Sequence, residues 1–289
     1  MRTKATLILA TAVALLCAVT APVTARPGDK QVNLATGVKL RYMVDGVPGA
    51  TPILFLHGIT DSSHSWSSTT PFLSDTYRTY ALDQRGHGDS ERPLFGYSMA
   101  QFAEDAVAFM DEMGIDQAVV VGHSMGSFIA HQIASVYPER VSHLVLVASA
   151  PTSVKNELLT FVWDEYVGSP DFQDPISADF IRDFQTGPNP VDPVFFETAL
   201  EETGKVPARV WKAAFRGLLT DDHSGFLDDV SAPTLILWGT ADAIYTSDDQ
   251  TALRAALPGA VFKSYDGAGH NLQWEQPQRV AEDIREFIE

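Results

Sequence analysis

The stretch Val119-Val120-Val121-Gly122-His123-Ser124-Met125-Gly126 constrains this chain more than any other. A β-branched run ends in Gly-His-Ser-Met-Gly, and apolar residues at helical spacing (Phe128, Ile129, Ile133, Tyr137) follow at once. This is a G-x-S-x-G pattern set between a strand and a helix. So tight a turn holds the serine in a strained backbone conformation with its hydroxyl projecting. Side chains two residues to either side would collide, and Gly122 and Gly126 remove that collision. The bland alternative is an ordinary glycine-containing β-to-α turn with an incidental serine; the flanking strand and helix favour the first reading.

Around this stretch the chain alternates buried strands with helices. Gly37–Val44 alternates apolar and polar residues, as a half-buried antiparallel strand does. Ile53–Leu56, Tyr80–Leu82, Leu144–Val147, Thr234–Gly239 and Val261–Tyr265 read as further strands. Helical spacing runs through Trp66, Phe72 and Leu73, and from Ser98 to Met113 before Gly114. It returns from Gln250 to Leu257 and from Pro277 to Ile288. Residues 26–30 read as a flexible lead. The alternation predicts an α/β fold with a mainly parallel sheet covered on both faces.

Between Pro151 and Leu227 the pattern changes. No strand is evident; four helical segments are predicted, Val154–Val167, Ser177–Gln185, Pro193–Glu202 and Ala208–Leu219, separated by prolines. Aromatic residues are dense here, from Phe161 and Trp163 to Trp211 and Phe215. Packing of helix on core is the competing role for each; as a group they predict a helical lid with an apolar underside. The domains expected are a leader over 1–25, a core in two parts over 26–150 and 228–289, and the helical cap inserted at 151–227.

The start of the chain reads as a signal peptide: a basic Met1-Arg2-Thr3-Lys4, an apolar run of 13 residues from Leu7 to Val19, then Val23-Thr24-Ala25 before the cut. That run is too short for a stable membrane anchor. The expected destination is secreted or periplasmic, with cleavage near Ala25. The one cysteine, Cys17, leaves with the leader, so the mature chain would have no disulfide and no thiolate nucleophile. The formal net charge of −17 repels nucleic acid and anionic membranes, so neither is an expected partner.

Taken together, His57-Gly58-Ile59-Thr60, Asp83-x-Arg85-Gly86-x-Gly88-x-Ser90, Gly122-His123-Ser124-Met125-Gly126, Gly239-x-x-Asp242 and Gly269-His270 resemble the α/β-hydrolase superfamily, in its capped serine esterase or lactonase form. The likeness covers essentially all of the mature chain. It implies an eight-stranded, mainly parallel sheet flanked by helices, with an inserted helical cap. Within it Ser124 is the candidate nucleophile, which needs an adjacent base. Of eight histidines, His270 sits on a glycine-rich loop after the last strand, where its ring can swing to the serine. Asp242, after the penultimate strand, is the candidate acid that orients His270, with Asp248 and Asp249 as competitors. The order Ser124, Asp242, His270 is the order expected for this fold. The amides of Ile59 and Met125 are the candidate oxyanion donors. Arg85 and Asp83 read as loop ties rather than substrate contacts. Trp66, Trp163, Tyr245 and Trp274 are candidates to line the pocket, with core packing the competing role.

A serine at the elbow argues against haloalkane dehalogenase and epoxide hydrolase chemistry, for which members of this family use aspartate there. No His-Glu-x-x-His run or phosphate-binding glycine loop occurs, so no metal or cofactor is expected. The expectation is a secreted serine hydrolase acting on a carboxylic ester or lactone of an apolar small molecule. Carbon–carbon bond, amide or perhydrolase chemistry with the same triad remains open. So does a slow-turnover ligand-binding receptor, which a single burst rather than repeated turnover would reveal.

Overall fold

Residues that alternate along each strand divide the core into two layers. The computed structural model describes residues 29–289; the expected leader lies outside the described residues. Eight strands form one sheet: β1 (Asp29–Asn33), β2 (Lys39–Gly46), β3 (Pro52–Leu56), β4 (Arg78–Leu82), β5 (Ala118–His123), β6 (Val141–Val147), β7 (Thr234–Gly239) and β8 (Val261–Tyr265), in the order β1-β2-β4-β3-β5-β6-β7-β8. The β1–β2 and β2–β4 pairs are antiparallel and all others parallel. Strand β1 occupies part of the stretch read as a flexible lead. It pairs Val32 with Leu40 at the sheet edge, and so short an alternation carries little signal.

Leu54, Leu56, Val120, Leu144, Leu146 and Ile236 face helices α1 (Met99–Glu112) and α2 (Met125–Val136). Ile53, Phe55, Val119, Val121, Val145, Val147, Leu235 and Leu237 face the other way, onto Val280, Ala281 and Ile284 of the C-terminal helix (Pro277–Ile288). Period two in the strands thus supplies both faces of a buried sheet. Ser98 caps α1 by accepting from the Gln101 amide at 3.2 Å, and Gly114 leaves the helix at φ +65°.

The helix predicted through Trp66 and Phe72 is instead two short 3₁₀ turns, Ser63–Trp66 and Thr70–Phe72. Five serines, three threonines and Pro71 between positions 60 and 71 explain this, because their side chains compete for the backbone. Between β6 and β7 the chain forms α3 (Glu157–Val162), one π turn (Trp163–Val167), α4 (Ala178–Gln185), α5 (Pro193–Gly204) and α6 (Ala208–Thr220). Helix α7 (Ser247–Ala256) follows β7, and α8 (Leu272–Glu275) precedes the C-terminal helix, α9. Trp211 sits at the centre of the inserted helices, with Phe172, Phe180, Phe184 and Phe215 around it. The aromatic density of this segment therefore mostly builds its own core.

Candidate active site

Parallel strands bring their C-terminal ends to one edge, and loops at that edge form the usual crevice of such sheets. Ser124 follows β5, Ile59 follows β3, Asp242 follows β7 and His270 follows β8. Register places Leu56 beside Gly122 and Gly239 beside Tyr265, so the four loops are neighbours. Three non-glycine residues at this edge have positive φ: Thr60 (66°), Ser124 (51°) and Ala148 (49°). Such strain costs about 1–3 kcal/mol per residue and collects where geometry serves chemistry.

The elbow is as tight as its glycines imply. A Cβ on Gly122 would lie 2.2 Å from the Gly126 carbonyl oxygen. A Cβ on Gly126 would lie 2.3 Å from the Leu56 carbonyl oxygen, so this second collision is with the neighbouring strand. Gly239 serves similarly, since a Cβ there would meet the Ala268 and Gly269 carbonyls at 2.3 and 2.4 Å. The Asp242 and His270 loops approach each other for that reason.

His270 Nδ1 donates to Asp242 Oδ2 at 3.0 Å. The other Asp242 oxygen accepts the amides of Ile244 (2.8 Å) and Tyr245 (3.1 Å), so the carboxylate is fixed. Asp249 is committed elsewhere, accepting the Thr246 amide and hydroxyl at the start of α7, and Asp248 is exposed. Ser124 and His270 line one cavity of about 280 Å³. Tyr245 lies beside the His270 ring, with the Ser124 hydroxyl near its phenol. Burial pushes that phenol up, so it stays neutral, and the Ser153 hydroxyl shares a hydrogen bond with it at 2.6 Å. Among the described residues, the Ile59 and Met125 amides have no hydrogen-bond partner, and Met125 opens α2, where the helix dipole favours negative charge.

Other motif residues brace these loops. His57 donates from Nδ1 to the Gly58 carbonyl (2.7 Å) and accepts the Gln84 amide at Nε2 (3.1 Å). Burial pulls its pKa down to about 4. Asp83 accepts from Arg41 and from the Ser63 and Asp89 amides, and Arg85 grips Asp105 with two bonds of 2.5 and 2.7 Å. Both are loop ties. His123 donates from Nε2 to the His270 carbonyl at 3.1 Å.

The model of the alpha/beta hydrolase fold family matches residues 51–277. The chain belongs to this family. Curated relatives of this alpha/beta hydrolase include a dihydrolipoyllysine-residue acetyltransferase component of an acetoin cleaving system from Cupriavidus necator. It is 30% identical over 83% of this chain, and the match spans 64% of that protein, under two thirds of its length. A non-heme chloroperoxidase from Streptomyces lividans is 28% identical over 89% of this chain and 98% of its own. Among solved structures, a thermophilic esterase from Thermogutta terrifontis superposes with a TM-score of 0.76 at 24% identity, covering 90% of this chain and 97% of that one.

The cavity of this alpha/beta hydrolase differs from the aromatic pocket expected. Its apolar wall is Ile59, Leu158, Leu159, Val162, Leu218 and Ile244, with Phe184 the one aromatic ring among the lining residues outside the histidines. None of the four candidate pocket aromatics is on that wall. Trp66 is fully buried against Phe55 behind the sheet. Trp163 packs under Arg216 in the inserted helices. Tyr245 is fully buried beside the His270 ring and is not among the lining residues. Trp274 donates to Ser65 and faces an adjacent groove with Phe196 and Pro193. Each ring is large enough to be recruited by core packing instead. Asp61 and Gln185, bonded to each other at 2.8 Å, do line the cavity. Sequence reasoning missed both, because they lie far apart in the chain and belong to no spacing pattern.

Among the described residues no cluster of three His, Cys, Asp or Glu side chains is placed to hold a metal ion, and no helix is long and apolar enough to cross a membrane.

Proposed function

We propose that this chain is a serine hydrolase acting on carboxylic esters or lactones of apolar small molecules through an acyl-enzyme on Ser124. The observation that carries this reading is the fixed Asp242–His270 pair opening onto the same cavity as a strained elbow serine. His270 takes the Ser124 proton as the hydroxyl attacks the carbonyl, and Asp242 holds the imidazole tautomer and stabilises the imidazolium. The Ile59 and Met125 amides receive the oxyanion; one such donor typically supplies a factor of about 10²–10³. His270 then protonates the leaving alcohol and activates water, which releases the acid. The aliphatic wall favours a small or medium acyl chain.

The test pairs activity with labelling. Ser124→Ala should lose roughly 10³–10⁶ in kcat on a p-nitrophenyl ester. A fluorophosphonate should label the parent protein and not the variant. Retained activity in Ser124→Ala overturns the mechanism.

The Streptomyces lividans relative favours perhydrolysis as a second reading. There hydrogen peroxide replaces water in attacking the acyl-enzyme, giving a peracid and free Ser124. Peracid formation from acetate ester and peroxide would establish it. The export reading rests on the sequence alone, and an N-terminus at Arg26 in culture fluid or periplasm would support it.

A further inference from the structure

One end of the cavity is polar, and the acyl-enzyme mechanism leaves it unused. Asp61 lies there, 5% exposed, three residues beyond Gly58 in the loop that carries the Ile59 amide. Its Oδ1 accepts from Gln185 Nε2 at 2.8 Å. Its Oδ2 has one long bond, from the Ser65 hydroxyl at 3.4 Å, and faces Nδ1 of His123 at 4.0 Å, while the Gly58 amide also acts on the carboxylate. His123 must carry its proton on Nε2, because that atom faces the His270 carbonyl. Nδ1 is then a bare lone pair, and it has no partner among the described residues. Two acceptors thus face each other with no donor between them. Gly58 keeps the gap open, since a Cβ there would stand 2.9 Å from the one and 3.1 Å from the other. Buried acceptors without donors are costly, so the place calls for a donor from elsewhere.

The rest of the lining sharpens this. It contains no Lys and no Arg, and its other carboxylate, Asp183, is on the exposed rim. An anionic acyl group has nothing to pair with. A hydroxyl or amine does.

Building on the serine hydrolase reading, we propose that Asp61 determines specificity by accepting a hydrogen bond from a hydroxyl or amine on the acyl part of the substrate, close to the carbonyl carbon. Burial raises the Asp61 carboxyl to about 6, which leaves it ionised at pH 7.5 and a strong acceptor. The charge of His270 acts on it, which places it in the field of the reacting centre.

The experiment compares ethyl butyrate, ethyl β-hydroxybutyrate and ethyl β-aminobutyrate in a pH-stat at pH 7.5, with the full chain. The parent enzyme should prefer at least one donor-bearing ester by roughly 10–100-fold in kcat/KM, the size of a hydrogen bond to a charged group. Which of the two is preferred separates hydroxyl from amine. Asp61→Asn should abolish that preference, because its amide turns a donor towards His123 Nδ1 and removes the charged acceptor. Gln185→Leu removes the donor that holds the Asp61 carboxyl down and also loses the Thr203 contact, so the preference should return there only as pH is raised above 7.5, which a merely structural Asp61 would not show. An equal loss on all three esters in Asp61→Asn reduces Asp61 to a strut and overturns the proposal. So does a parent enzyme with no preference that still turns over ethyl butyrate and is labelled at Ser124. Absence of both turnover and labelling removes the hydrolase reading, and this proposal with it.

Discussion

His123 Nε2 reaches the main-chain carbonyl of His270 at 3.1 Å, across 147 residues of chain. The residue before the nucleophile thereby holds the backbone of the residue that supplies the base. The elbow and the histidine loop are not independent parts, because this part-buried hydrogen bond ties them.

Breaking that bond should misplace the base without removing it. His123→Phe keeps an aromatic ring against Trp66 but leaves the His270 carbonyl unpaired. We expect kcat to fall about 10–100-fold, since small displacements of aligned groups cost rates of this order. The fluorophosphonate reaction should slow in parallel while urea-unfolding stability drops by only ~1–3 kcal/mol. A rate equal to that of the parent would mean the contact does not position the loop.

The acid can be assigned by contrast between two aspartates. Asp242→Asn should lower kcat by about 10⁴, because the amide favours the wrong tautomer of His270. Asp249 accepts from Thr246 at the start of α7 and turns away from the histidine. Asp249→Ala should cost about 1 kcal/mol of stability as a lost helix cap and leave the rate as it is. Steady-state kinetics on a p-nitrophenyl ester reads both, and the reverse pattern would move the acid to α7.

The elbow glycines should tolerate nothing larger. Gly126→Ala would press a methyl to within 2.3 Å of the Leu56 carbonyl, and Gly122→Ala would bring one within 2.2 Å of the Gly126 carbonyl. Both obstacles are backbone and cannot rotate away. A loss of at least ~3 kcal/mol, or failure to accumulate folded protein, is expected in each. By contrast Gly37→Ala has open space around its Cβ and meets only the strain of φ +82°. It should lose about 1–2 kcal/mol. Urea midpoints of the three variants give the comparison.

What could be read from the chain was what local periodicity and glycine spacing encode. β5 is a continuous apolar run because both faces are covered, and Gly122 and Gly126 mark a turn whose obstacles are backbone atoms. Asp61 and Gln185 escaped such reading because they meet across 124 residues, through the packing of α4 on the oxyanion loop. The aromatics of the inserted segment escaped it differently. Spacing places Phe180, Phe184 and Trp211 on helices, but the direction in which a short helix turns its rings depends on its neighbours. Here they turn mostly towards one another, which leaves the cavity wall to Leu158, Leu159, Val162 and Leu218.

Five buried histidines, His57, His87, His123, His131 and His223, should make this fold sensitive to mild acid. Burial holds His57 at about 4, His87 and His131 at about 3, and His123 well below the ordinary value near 6.5. Among the described residues His131 has one hydrogen-bond contact, with the Ser149 hydroxyl at 3.4 Å, and its Nδ1 has no partner. Below pH about 6.5 the unfolded chain binds protons that the folded chain refuses, so stability falls as pH falls. Asp61 acts in the opposite sense. Its pKa is raised to about 6 in the fold, so between about 4 and 6 the folded chain binds the extra proton and gains stability as pH falls. His223 and His143 are lowered by burial as well and Glu202 is raised, so lowered histidines outnumber raised carboxyls and the net loss between pH 7 and pH 5 is on the order of 5 kcal/mol, a large share of what a domain of this kind has. Urea midpoints at pH 7.5, 6 and 5 should therefore decline steadily. Asp61→Asn, which removes an opposing group, should make the decline steeper. Constant midpoints across this range would show that the histidines are not held neutral.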